Sequence, residues 1–185
     1  QPGKVMHELR AGTLAMPGEG IVLPPLYYGT VDATPLWVSL LVEAAEAGMP
    51  DDEVRDLLPH LERAMEWIIT SAGDDGFLDY VDETGHGLSN QGWKDSGDSI
   101  QWRDGRLAEG PIALSEVQGY AYEAAVGAAD LLDRFGRPGA ERLREWATAL
   151  KRRFADRFWV TTPEGHYPAI ALDRDGRAVD TLTSN

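Results

Sequence analysis

Four stretches of this chain repeat apolar residues at helical spacing, and they are joined in pairs by turns of only a few residues. The first follows Asp32 and Thr34, with Pro35 at a tolerated first-turn position. Its apolar face reads Leu36, Trp37, Leu40, Leu41, Ala44 and Ala47, and Gly48 stops it. The second carries Leu57, Leu58, Leu61, Met65, Ile68 and Ile69; Pro59 falls inside that pattern, which predicts a break and a fresh helix starting there. The third carries Val117, Tyr120, Ala121, Ala124, Ala128, Leu131 and Leu132 and ends near Gly136. The fourth carries Leu143, Trp146, Ala147, Leu150, Phe154 and Phe158. A Gly48-Met49-Pro50 turn joins the first two, and Gly136-Arg137-Pro138-Gly139 the last two. Each pair therefore reads as an antiparallel αα-hairpin. The pattern is one architecture used twice, with no internal domain boundary.

What lies between the hairpins is less regular. Residues 73–115 are rich in Gly, Asp and Ser, with extended candidates at 77–81 and at 100–107, the latter turning at Asp104-Gly105. A connection that long in a compact domain is usually functional. Residues 159–179 read as a second excursion, turning at Asp175-Gly176.

Charge narrows the function classes. Acidic residues number 31 against 17 basic ones, a formal net charge of −14. The only basic run, 151–153, lies on an amphipathic helix. Phosphate backbones and anionic membranes are repelled by such a surface, so neither is expected as a partner. Apolar runs fall far short of the roughly 20 residues of a membrane span. Residues 1–20 lack the basic start and apolar stretch of a secretory signal, and a cytoplasmic location is the expectation. The chain has no cysteine, which excludes disulfides and thiolate chemistry. No metal or other cofactor is expected, because His7, His60, His86 and His166 are scattered without ligand spacing. With 43% hydrophobic residues and six tryptophans, the chain can bury a core.

Reactive side chains concentrate in Asn90-Gln91-Gly92-Trp93-Lys94-Asp95-Ser96-Gly97-Asp98-Ser99. Aromatic faces stack on sugar rings, while carboxylates accept hydroxyl hydrogen bonds and exchange protons at a glycosidic oxygen. A solvated acidic loop would have the same composition. Tyr27-Tyr28-Gly29-Thr30-Val31-Asp32 precedes the first helix, and Ser115-Glu116-Val117-Gln118 opens the third. If the hairpins pack about a common axis, Asp32, Asp95 and Glu116 face one pocket. Taken singly, Asp32 and Glu116 equally suit carboxylates complementing a helix dipole, with Ser115 as a cap.

Four ordered motifs carry a family resemblance: Pro2-Gly3-Lys4-Val5-Met6-His7-Glu8, Tyr28-Gly29-Thr30-Val31-Asp32-Ala33-Thr34-Pro35, Asn90-Gln91-Gly92-Trp93-Lys94-Asp95-Ser96 and Glu116-Val117-Gln118-Gly119-Tyr120. Together they resemble bacterial amylo-α-1,6-glucosidases, the glycogen-debranching type of glycoside hydrolase. Asp180-Thr181-Leu182-Thr183-Ser184-Asn185 resembles a segment near the middle of that family's catalytic domain. The resemblance implies an all-α fold: αα-hairpins forming part of an (α/α)6 toroid, with short β-hairpin excursions in the inter-helix loops. Residues 1–185 would be a partial catalytic domain, incomplete at the C-terminal end and at the N-terminal end.

The implied chemistry is inverting hydrolysis of α-glucosidic branch linkages in glycogen-like or oligosaccharide substrates. One carboxylic acid protonates the leaving oxygen, and a distant carboxylate activates water. The resemblance places the acid at Asp95, with Asp98 as the alternative, and the base beyond this chain. Asp32, Tyr28, Trp93, Lys94, Glu116 and Gln118 would bind substrate. The 185 residues alone would then be inactive, and bared helix faces would favour self-association. The reading set against this one is a non-catalytic helical module that binds glycan or protein.

Overall fold

The computed structural model describes residues 1–183 except Glu83 and Asp95. Four helices form the two expected hairpins: α1 (Ala33–Glu46) with α2 (Asp51–Ser71), and α3 (Ser115–Arg134) with α4 (Ala140–Arg157). Helix α3 is the centre of the molecule and packs against the other three. Val117, Ala121, Ala124, Ala125, Ala128 and Ala129 have no exposed surface. Small side chains on more than one side of α3 let neighbouring helices approach it closely. The core continues through Leu58, Leu61, Met65 and Ile68 of α2 and Leu143, Ala147 and Leu150 of α4. Phe158, just past α4, stacks on Phe154 at 4.4 Å and meets Phe77 edge-on at 5.2 Å.

The all-α expectation is overturned. Among the described residues nine strands accompany the helices: β1 (Glu8–Leu9), β2 (Leu14–Met16), β3 (Ile21–Leu23), β4 (Leu26–Tyr27), β5 (Ala113–Leu114), β6 (Trp159–Thr162), β7 (Gly165–Pro168), β8 (Ala171–Leu172) and β9 (Ala178–Val179). They form four small antiparallel sheets: β1 with β4, β2 with β3, β6 with β7, and the order β5-β8-β9. The fold is mixed α/β and not an all-α toroid. Part of this strand content belongs to the core, while the mostly exposed β6–β7 hairpin is an excursion of the kind expected in residues 159–179. Leu23, Ala113, Leu114, Ala171, Leu172 and Val179 are buried, and pairing satisfies backbone groups that burial would otherwise leave costly. The extended candidates at 77–81 and 100–107 form only isolated bridges, Ala72 to Leu78, Tyr80 to Ile112 and Gln101 to Leu107.

Two helix details also differ. Helix α2 runs unbroken through Pro59. The ring removes one backbone hydrogen bond, but Val54 and Leu58 before it and Leu61 and Met65 after it are buried along one face, and that packing holds the turns in line. Helix α1 is rotated from its expected face. It buries Thr34, Pro35, Val38, Ser39, Leu41 and Ala45, while Leu36 and Leu40 stand in solvent, 42% and 63% exposed. Its end matches the reading: Gly48 takes φ +103°, a left-handed conformation that halts the helix. Among the described residues no helix is long and apolar enough to cross a membrane.

Candidate active site

The hairpin connectivity puts the N-terminal ends of α1 and α3 and the C-terminal ends of α2 and α4 on one side, with the segment 73–112 crossing it. Hydrogen bonds interlock the segments gathered there. The Val5 amide donates to Thr34 Oγ1 at 2.9 Å and the His7 amide to the Tyr27 carbonyl at 2.9 Å. The Val31 amide donates to the Gln91 carbonyl, also at 2.9 Å, tying the approach to α1 to the loop that carries Trp93.

Asp32 sits in this join. It is buried, and its Oδ1 accepts a hydrogen bond from Thr30 Oγ1 at 2.5 Å. It occupies the position before α1, yet its side chain caps no amide of the helix. Ser115 is likewise no cap, since α3 begins at it; its amide donates to the Ile170 carbonyl at 3.0 Å. Glu116, in the first turn of α3, is half-buried. Burial holds its carboxyl above the ordinary range; its own backbone amide, Lys94 and Ser115 offset only part of that rise, and Asp32 adds a small upward push. Lys94 and Glu116 line one cavity, while Asp32 acts on Glu116 only through the last and smallest of these influences.

The loop 90–99 is built around Asn90, which is buried. Its Oδ1 accepts from the Tyr80 hydroxyl at 2.7 Å, and its Nδ2 donates to the Lys94 carbonyl and to Ser99 Oγ. Gly92 lies so close to strand β5 that a Cβ there would collide with Leu114 Cδ1. Beyond it Trp93 is 52% exposed, with Lys94 Nζ 5.1 Å from its ring centre. Asp98 is exposed; its carbonyl accepts from Gln101 Nε2 at 2.5 Å. Asp95 lies outside the described residues.

Two cavities open nearby. The smaller, about 380 Å³, is lined by Lys94, Ser115 and Glu116 together with Phe154, Tyr167 and Thr181. The larger, about 620 Å³, is lined by Tyr27, Tyr28, Trp67, Asp79, Tyr80 and Gln91 among others. Both volumes fall in the range of small-molecule sites, about 300–1,000 Å³. Tyr27 is buried and its hydroxyl accepts from the Leu88 amide at 3.0 Å. Asp79 is the chemically unusual group of the larger cavity. Burial, with help from Asp75, lifts its carboxyl to about 6. Such a raised acid carries stability that is present below the ordinary carboxyl range and is lost as pH rises through about 6. Asp79→Asn is therefore expected to gain melting temperature over the wild type at pH 7–8 and to lose that advantage near pH 4. Melts across that range check it; an advantage that grows toward acid pH would contradict it.

No protein-family model matches the chain, and a search of curated proteins returns no match.

Of the residues singled out in the sequence, Lys94 and Glu116 line the smaller cavity, Trp93 holds its ring 5.1 Å from Lys94 Nζ, and Asp32 lies on the lining of neither cavity. Tyr28 lies instead on the larger cavity. Gln118 must be withdrawn as a substrate ligand. It is 1% exposed, its Nε2 donates to the carbonyls of Leu78 and Leu114, and its Oε1 accepts from the Leu78 amide. With both donors committed, it latches residues 77–80 to α3. Asp79 and Tyr167 were missed, and Asn90 stood in the reactive segment with no role assigned to it. For Asp79 a faint signal exists, a carboxylate between the buried Leu78 and Tyr80. Nothing local marks Tyr167.

Proposed function

We propose that the Lys94–Glu116 cleft is the saccharide site of a glycoside hydrolase that cleaves α-glucosidic linkages, α-1,6 branches included, by an inverting acid/base mechanism. The observation that carries this reading is a cleft lined by Lys94, Ser115 and Glu116 together with Phe154 and Tyr167, with the exposed ring of Trp93 5.1 Å from Lys94 Nζ. Hydroxyl-rich, uncharged ligands are recognised by this kind of set: an aromatic face for the apolar side of the ring, with charged acceptors and a donor for its hydroxyls. Asp32, oriented by Thr30, and Glu116 accept hydroxyl hydrogen bonds, and Lys94 donates one. Asp95, one residue past Lys94, is the proton donor to the leaving oxygen, and the resemblance places the carboxylate that activates water outside these residues. The resemblance to the amylo-α-1,6-glucosidases supports both assignments.

Binding is the first readout. Titration of the wild type with panose, followed by tryptophan fluorescence, is expected to saturate. Trp93→Ala and Glu116→Ala are each expected to weaken binding about tenfold, the scale of one lost stacking or charge-assisted contact. Absence of saturable binding by the folded wild type would overturn the reading.

A further inference from the structure

The cleft has a second wall that the substrate-binding set does not use. Because α3 and α4 form a hairpin, the end of α4 returns beside the start of α3 and places Phe154 on the cavity that Glu116 also lines. Strand β7 adds Tyr167 and Pro168, and the segment after β9 adds Thr181 and Leu182. These parts are pinned in place. The Ser115 amide holds the Ile170 carbonyl, and Thr181 Oγ1 donates to the Gln101 carbonyl at 2.5 Å. The Tyr167 hydroxyl donates to the Asp180 carbonyl at 2.9 Å and lies 3.0 Å from Thr162 Oγ1. Its polar end is thus committed to the protein, which leaves the ring to the cavity. A cleft with aromatic and aliphatic surface on one part and Lys94, Ser115 and Glu116 on another has the two-sided character of a pyranose, an apolar C–H face rimmed by hydroxyls.

We propose that the Phe154–Tyr167 wall is a subsite for a second pyranose ring of the substrate, with Tyr167 as its stacking platform. This rests on the saccharide reading of the same cleft, and it specifies the substrate class further: at least two linked rings, one beside Lys94 and Glu116, the next against Tyr167.

Calorimetric titration with glucose and with isomaltose separates the two claims. The wild type is expected to bind isomaltose more tightly than glucose. Tyr167→Ala should cut that advantage about tenfold while leaving glucose affinity unchanged, and Tyr167→Phe should retain it, since the ring remains. Intermolecular NOEs from the Tyr167 ring to one ring of isomaltose give the same answer on the unmodified protein, whatever the stability of the alanine variant. The subsite is overturned if the wild type shows no isomaltose advantage, if Tyr167→Ala folds and keeps it, if Tyr167→Phe loses it as fully as the alanine, or if the NOEs are absent at saturation. Failure of both sugars to bind the wild type overturns the saccharide reading itself, a separable result.

Discussion

Asp95→Asn is expected to lower the yield of β-glucosyl azide from panose at least about a hundredfold, the lower end of what a positioned general acid contributes. Azide is a small anion that attacks carbon without a general base, so the reaction asks the chain for the acid alone. On the proposed assignment, the bond between the anomeric carbon and the leaving oxygen breaks as Asp95 gives that oxygen a proton. The azide nitrogen bonds to the anomeric carbon from the opposite face, inverting α to β, and Asp95 regains its proton from solvent. An asparagine amide has no proton of comparable acidity to give. Asp98→Asn is expected to stay within about twofold of the wild type, as a side chain outside the reacting set should. Product quantified by mass spectrometry checks both. If Asp98→Asn is the variant that fails, the acid is misassigned; if the wild type binds panose and forms no azide, the cleft is a binding site without the acid.

The second large effect falls on a residue that touches no ligand. Asn90→Ala deletes the acceptor of the buried Tyr80 hydroxyl and the donor to Lys94 and Ser99 together. Each buried polar group left without a partner costs about 1–3 kcal/mol, so a loss of about 3 kcal/mol in urea unfolding is expected. Panose affinity should fall more than tenfold, because Trp93 and Lys94 are held in place by that anchor. Ser99→Ala, which removes one partner and leaves the others, should cost only about 1 kcal/mol. An Asn90→Ala protein as stable as the wild type would mean that the loop is held by something else.

Legibility in the sequence followed the range of the interaction. Helices α2, α3 and α4 could be read because their apolar residues recur at 3.6 spacing on the face that is buried. Helix α1 has apolar residues nearly all round, so periodicity could not say which side faces α3. The face chosen mixes Leu36 and Leu40, which stand in solvent, with Leu41, which is buried, and Trp37, which packs on the core, while the buried side also includes Thr34 and Ser39. Strands of two to four residues are too short for an alternation to register, and their partners are far off: β5 pairs with β8, Ala113 opposite Leu172. The same limit governs the site. Asp32 and Glu116 were visible because each adjoins a helix start, and the loop 90–99 because its reactive residues are contiguous. Gln118 misled because its partner Leu78 is 40 positions away. Tyr167 was hidden because its place depends on how β7 folds back beside α3.

The most direct test is a ¹H–¹⁵N chemical-shift map of the 185-residue protein during titration with isomaltose. The predicted result is a saturable set of shifts centred on Lys94, Ser115, Glu116 and Tyr167, with the amides lining the larger cavity, Tyr28, Trp67 and Asp79, left in place. Shifts centred on that larger cavity, or none at saturating sugar, would contradict the assignment of the Lys94–Glu116 cleft as the saccharide site.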